Sequence, residues 1–241
     1  MTKAKEIYKV RLCFRWEGPL MWVAHLDRMR ALQRILLRAK LPLLYSQGYN
    51  PRPQFVFALP TPVGIRSESE YVDIHFEEVV NLEEIARTIQ SQCVEGLELL
   101  SLEEIEETKT ETIMGLVRLA DYVFSYPNIS PVMENLMNQE NIIVQKFSKK
   151  RYKDVDIKPL VYEAKAQGND CYFLRVYAGS KKNLRADLFL QALEKYSTFE
   201  DYLDIDIVRK ELWIKKKKED RYLVQPITRG QDIQEIKWYE E

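Results

Sequence analysis

Apolar and polar positions mix in a run rich in β-formers from Ile7 to Trp16, which predicts a first strand over 7–16, broken by Gly18-Pro19. The period then changes. Leu26, Met29, Leu32, Leu36 and Ala39 recur at spacings of three and four, which predicts a helix over 25–40 with that stripe facing a core. Arg30, Arg34 and Arg38 form a parallel stripe on another face. Asp27 suits the positive start of the helix dipole and Lys40 its negative end. Residues 41–44 are short and apolar, and 45–53 (Tyr-Ser-Gln-Gly-Tyr-Asn-Pro-Arg-Pro) form a loop. Gly48 permits unusual backbone angles there, while Pro51 and Pro53 stiffen the chain and hold Asn50 and Arg52 extended. A strand over 54–59 ends at Pro60 and Pro62, and a strand over 70–76 follows. Leu82, Ile85, Ala86 and Ile89 mark an amphipathic helix over 82–93, and 97–102 is a last strand. The order β-α-β-β-α-β is the split-βαβ, or ferredoxin-like, pattern.

Residues 103–118 are rich in Glu and Thr and read as a linker into a second cycle. A strand is expected over 121–126, then a helix to Asn138 with Ser130 as N-cap and Pro131 at its first position. Residues 142–147 form a strand, and 156–166 with 171–177 form a hairpin around Gly168-Asn169-Asp170. A helix over 184–196 is capped by Asn183; a strand over 205–214, a basic turn over 215–218 and an edge strand over 222–227 complete the pattern. The chain therefore reads as an α+β protein of two ferredoxin-like (βαββαβ) halves in tandem, the second with an extra strand. The expected domains are 1–108 and 109–241.

Composition narrows the function. With 46% hydrophobic and 30% charged residues a globular core is expected, and no apolar run approaches the roughly 18 residues of a membrane span. Residues 1–6 resemble no signal segment, so a cytoplasmic protein with no membrane partner is expected. Three dispersed cysteines argue against a disulfide framework and exclude a self-contained four-cysteine zinc site and an iron–sulfur cluster held by four cysteines of one chain. Gly-rich phosphate loops, nucleophile elbows and His-Glu-x-x-His motifs are absent, so no cofactor is expected. The net charge of −1 conceals segregation. Twelve Lys and Arg lie within 3–66 against Glu6, Glu17 and Asp27, whereas 67–111 carries fourteen carboxylates against Arg87 and Lys109. One reading is a patch that meets a polyanion. The other is that the two stretches lie side by side and neutralise each other.

The candidate chemistry falls in three places. His25, one of two histidines, stands where the first strand hands over to the first helix and is the candidate acid or base; capping or packing is its alternative, and His75 reads as structural. Arg30, Arg34 and Arg38, with Tyr45, Gln47, Tyr49, Asn50 and Arg52 of the loop, are candidate nucleic-acid contacts, because tyrosines stack on bases and guanidinium groups pair with phosphates. The alternative is a rigid connector that packs Tyr45 and Tyr49 on the core. Lys150 and Arg151, within the basic run 149–153, are hairpin-tip cations suited to phosphates or simply solvated.

The stretches 24–32 (Ala-His-Leu-Asp-Arg-Met-Arg-Ala-Leu) and 45–53, with Pro62-Val63-Gly64, residues 67–73, residues 153–160 and residues 183–187, resemble the radical-SAM-linked family of uncharacterised proteins along nearly the whole chain. Ala24 stands where that family usually shows Ser before His-Leu-Asp; that Ser would be an N-cap. The resemblance implies a radical SAM enzyme as partner and no chemistry of the chain's own. A fold-level echo of repeat-associated RNA endonucleases, also tandem ferredoxin-like, is analogy only. Three functions follow: a non-catalytic RNA-binding accessory module beside a radical SAM partner; a metal-independent RNA-processing or RNA-modifying enzyme with His25 as acid/base; or a protein-only adaptor.

Overall fold

Strand β1 (Tyr8–Trp16) alternates as its sequence requires: Val10, Leu12, Phe14 and Trp16 are buried in the core, while Lys9, Arg11 and Arg15 turn the other way. The computed structural model describes residues 7–105, 111–148, 150–180, 182–197, 204–218, 221–227 and 236–238. The chain divides after Leu116 into two compact units. The first continues with a 3-10 turn (Gly18–Trp22), α1 (His25–Arg38), β2 (Phe55–Phe57), β3 (Arg66–Phe76), α2 (Leu82–Gln92), β4 (Leu97–Glu104) and the short α3 (Ile113–Leu116). Its strands lie in the order β4-β1-β3, β2 also pairs β3, and every one of these pairings is antiparallel. Leu32, Ile35 and Leu36 of α1 and Ile85 and Ile89 of α2 pack on the inward row Val10, Leu12, Val72, Ile74 and Phe76.

The inward face of α1 differs from expectation at its start. Leu26 is 64% exposed and Arg28 is buried instead, in line with Leu32, Ile35, Leu36 and Ala39. Both phases satisfy a 3.6-residue period, and the guanidinium of Arg28 decides between them by finding carbonyl acceptors inside. Helix α2 is capped by Asn81, whose side chain accepts from the amide of Glu84 at 3.1 Å. Of the expected linker 103–118, residues 106–110 lie outside the described residues; Glu103 and Glu104 belong to β4, α3 follows, and Val117 and Arg118 already belong to β5.

The second unit contains β5 (Val117–Ser125), α4 (Ile129–Met137), β6 (Ile143–Ser148), β7 (Arg151–Asp156), a 3-10 turn (Lys158–Leu160), β8 (Val161–Ala166), β9 (Cys171–Tyr177), α5 (Ala186–Tyr196), β10 (Asp206–Lys218), β11 (Arg221–Pro226) and β12 (Ile236–Trp238). Strands run β10-β5-β9-β8, all antiparallel; β11 pairs β10, β12 pairs β11, and β6 and β7 form a separate two-stranded sheet. Phe124 of β5 meets Phe189 of α5 with ring centroids 5.3 Å apart.

Five expectations for this unit change. Ser130 is not the cap of α4: Asn128 is, in a left-handed conformation, and the Ser130 hydroxyl lies 2.6 Å from the Gly168 carbonyl and 3.0 Å from that of Cys171. The hairpin turn captures the hydroxyl that a local reading gives to the helix. Asn183 is not the cap of α5 either; it bridges Ala178, and α5 starts after Arg185. Asp156 closes β7, so the expected strand 156–166 is two elements. Lys215–Lys218 are strand rather than turn, because β10 extends to pair with β11. Finally, β11 is flanked on both sides, by β10 and β12, and is no edge.

Each unit carries a bidentate ion pair across two neighbouring strands. Arg11 of β1 donates to Asp73 of β3 at 2.7 and 2.9 Å. Arg175 of β9 donates to Asp121 of β5 at 2.7 and 2.8 Å, stacks 3.9 Å from the Trp213 ring centroid, and shares Asp121 with the Trp213 indole N–H at 2.9 Å. The donors of each pair are met, which is what makes a nearly dry ion pair tolerable.

Candidate nucleic-acid interface

The loop over 45–53 has a rigid neck and an open tip. Tyr45 and Pro53 face each other in a β-bridge; the amide of Ser46 donates to the Arg52 carbonyl at 2.9 Å, and the amide of Arg52 donates to the Ser46 hydroxyl at 3.0 Å. Below it, the Gln54 side-chain amide donates to the Tyr45 carbonyl at 3.1 Å, and Leu44, Gln54 and His75 exchange backbone bonds of 2.8 to 3.1 Å. Pro53 is buried and Tyr45 packs on the core cluster. Gln47, Asn50 and Arg52 are exposed, and Tyr49 is 102% exposed. Gly48 turns the chain at φ 131°, a conformation L side chains rarely adopt. The two tyrosines therefore separate: Tyr45 is the packing residue and Tyr49 is held out to solvent.

Arg30, Arg34 and Arg38 are all exposed, on the side of α1 away from Leu32 and Ile35. They are not equally available. Arg30 pairs with Asp27 at 2.8 Å, and Arg38 donates to the Gln92 side chain at 3.2 Å and to its carbonyl at 3.0 Å, closing the C-terminal end of α2. The side-by-side reading of the charge pattern holds in part: Arg11 meets Asp73, and Arg15 meets Glu98 at 2.5 Å.

His25, at the start of α1, is half-buried and meets Phe57 edge-on with centroids 5.2 Å apart. Burial pushes its pKa below the ordinary histidine value; the Glu70 carboxylate raises it and the Arg28 charge lowers it to lesser degrees. The imidazole is therefore biased toward its neutral, proton-accepting form. The groups around it went unrecognised in the sequence. Buried Arg28 donates to the carbonyls of Val23 at 2.8 Å, Met21 at 3.0 Å and Thr61 at 3.3 Å, and lies over the Trp16 ring. The Thr61 hydroxyl donates to the buried carboxylate of Glu70. Glu70 had a legible signal, since it shares parity with Val72, Ile74 and Phe76 and so faces inward; Arg28 and Thr61 had none.

The sequence matches, over residues 9–186, the profile of a family described as "Uncharacterized protein conserved in bacteria (DUF2344)". The chain belongs to this family. No curated protein matches it. The DUF2344 match takes in His25, the α1 stripe, the 45–53 loop and both remaining candidates, Lys150 and Arg151. Those two are exposed at the β6–β7 tip, where Lys150 has φ 64°. Lys149 lies outside the described residues. Among the described residues of this DUF2344 protein, no cluster of three His, Cys, Asp or Glu could hold a metal ion, and no helix is long and apolar enough to cross a membrane.

Proposed function

We propose that this protein is a non-catalytic, cytoplasmic RNA-binding accessory module that works beside a radical SAM enzyme acting on RNA or the ribosome. The observation that carries the RNA part is the loop tip: Tyr49 stands wholly in solvent beside exposed Gln47, Asn50 and Arg52, on a neck closed by the Ser46–Arg52 backbone bond and the Arg52 amide's bond to the Ser46 hydroxyl. A free aromatic face stacks on any unpaired base, amide side chains read base edges, and a held loop loses little entropy on binding. The radical SAM partner rests on the resemblance of 24–32 and 45–53 to the radical-SAM-linked family. The strand placements β4-β1-β3 with β2, and β10-β5-β9-β8, support reading the two units as ferredoxin-like halves, the second enlarged by β6, β7, β11 and β12.

The test is anisotropy of labelled tRNA and rRNA fragments at low salt. Tyr49→Ala should weaken binding by about tenfold, the scale of one lost base stack, with unchanged thermal stability because the ring touches no core. Equal affinity of Tyr49→Ala and the parent protein overturns the loop reading. Affinity purification with and without nuclease tests the partner: a radical SAM enzyme absent from both samples removes that half of the proposal.

A second reading, a metal-independent RNA-processing or RNA-modifying enzyme, is favoured by the neutral bias of His25 above buried Glu70. Its test is RNA turnover by the purified protein that His25→Ala abolishes; no turnover by the parent protein, or turnover unchanged by His25→Ala, ends it.

A further inference from the structure

The β6–β7 hairpin is held firmly at one end and bare at the other. At its base Ile142 and Ile157 are fully buried, and the Ile142 amide donates to Asp156 at 3.0 Å. The Ile143 amide donates to the Tyr196 hydroxyl and the Ile143 carbonyl accepts from Lys195, each at 2.9 Å, which pins β6 to α5. Toward the tip, Phe147 and Tyr152 are opposite one another in the register, with ring centroids 5.1 Å apart and planes tilted by 57°. They are 59% and 68% exposed. A cross-strand aromatic pair does stabilise a hairpin. Stability alone, however, does not require the outer faces of both rings to stay in water when their neighbours toward the tip, Gln145, Lys146, Ser148, Arg151, Lys153 and Asp154, are polar.

The charge around the rings names the partner. Lys150, Arg151 and Lys153 are exposed and Lys146 is half-buried. Within the two strands only Asp154 is an exposed carboxylate, because Asp156 accepts from the amides of Ile142 and Lys158. Alternation puts Gln145 and its partner Asp154, both exposed, on the same face as the rings, and Lys146, Arg151 and Lys153 on the other. A ribbon two strands wide spans about 5 Å, so long cationic side chains reach a backbone running along its edge from either face. Aromatic faces, one amide and edge cations are what an unpaired polynucleotide needs: bases to stack, an edge to touch, phosphates to neutralise. A duplex, whose bases are already stacked, offers only the phosphates.

We propose that the β6–β7 hairpin is a second binding site that stacks bases of single-stranded RNA on Phe147 and Tyr152. It takes its ligand class from the proposed function and adds a site that does not depend on the 45–53 loop.

The experiment uses the full chain and an oligouridylate of about 12 nucleotides, the footprint of a single-strand site, bearing one 2-aminopurine whose fluorescence is quenched on stacking. Anisotropy is measured for this strand and for its duplex. Phe147→Leu and Tyr152→Leu should each weaken single-strand binding by about tenfold and relieve the quenching, with duplex binding unchanged. Hydrogen exchange of residues 143–156 checks that the ribbon persists; Phe147→Trp, with a larger stacking face, should tighten binding and deepen the quench. If the leucine variants and Phe147→Trp all bind and quench as the parent does, while Tyr49→Ala loses affinity, the hairpin site is wrong and the RNA reading stands. If no variant differs because the parent binds no RNA at low salt, both fail. Competition by oligoglutamate as effective as that by unlabelled oligouridylate assigns the hairpin to an acidic protein and overturns base stacking.

Discussion

Replacing Arg28 should cost the first unit more stability than replacing any of the exposed arginines of α1, and the size follows from its bonds. Its guanidinium serves three backbone carbonyls, of Val23, Met21 and Thr61, at 2.8, 3.0 and 3.3 Å. The side chain is 1% exposed. Removing it orphans the buried Thr61 acceptor, at about 1–3 kcal/mol, and the two half-buried ones at less each, since water reaches them in part. Arg28→Met keeps the aliphatic stem against Trp16 and should cost about 3 kcal/mol; Arg28→Ala adds a cavity and should cost about 4–5 kcal/mol. Arg28→Lys keeps the charge but cannot reach three divergent acceptors, so it should fall between the parent and Arg28→Met. Urea unfolding at constant slope gives the free energies, and hydrogen exchange over residues 17–24 reports the local loss, because two of the three carbonyls lie there. An Arg28→Met variant within 1 kcal/mol of the parent, with unchanged exchange over 17–24, refutes the reasoning: the carbonyls would then have other donors.

In the second unit, Asp121→Asn should destabilise by about 2–3 kcal/mol, less than the full cost of an uncompensated buried charge, because Arg175 and Trp213 lose a shared carboxylate while Glu163 still faces Arg175 at 3.1 Å; denaturant unfolding checks it. Lys40 ends α1 at φ 52°, so Lys40→Gly should raise stability by about 1 kcal/mol, read as a higher urea midpoint. His25 has a folded pKa below its unfolded value, so the unfolded chain binds the extra proton as pH falls. Stability should therefore be full above the ordinary histidine pKa and decline as pH drops through that value toward the folded one; an imidazole titration by NMR places the folded pKa, and His25→Gln should remove that part of the slope.

The strongly periodic segments were legible: the alternation of β1, the α2 stripe and the alternation of β3 follow from local burial. What was not legible depended on distant partners. The phase of α1 was ambiguous until Arg28 found carbonyls thirty-three residues away at Thr61. Ser130 looks like a cap in its own sequence and is claimed by carbonyls at Gly168 and Cys171. Four lysines look like a turn, yet the ladder Lys215↔Val224 to Lys218↔Arg221 makes them strand, since pairing overrides weak β-propensity. At the candidate site, Gly48 and the two prolines announced an exposed, stiff loop. The difference between Tyr45 and Tyr49 was invisible, because it is set by which ring the neck turns toward the core.

The charge segregation between residues 3–66 and 67–111 has a topological origin that changes what it means. Strand β1 comes from the basic stretch, and its two neighbours, β3 and β4, come wholly or almost wholly from the acidic one, so the fold itself brings opposite signs together. Arg11 and Arg15 are spent on Asp73 and Glu98, Arg30 on Asp27, and Arg38 on Gln92. Those four cations already have protein partners and are poorly placed to displace counterions from a phosphate backbone. The proposed nucleic-acid affinity therefore rests on exposed rings, Tyr49 on the loop and Phe147 with Tyr152 on the hairpin, together with the exposed cations Arg52, Lys150, Arg151 and Lys153. Stacking of that kind selects unpaired bases over duplex. Both proposed sites offer aromatic faces on a held backbone, and both fail together if a duplex is bound as tightly as the single strand of the same length.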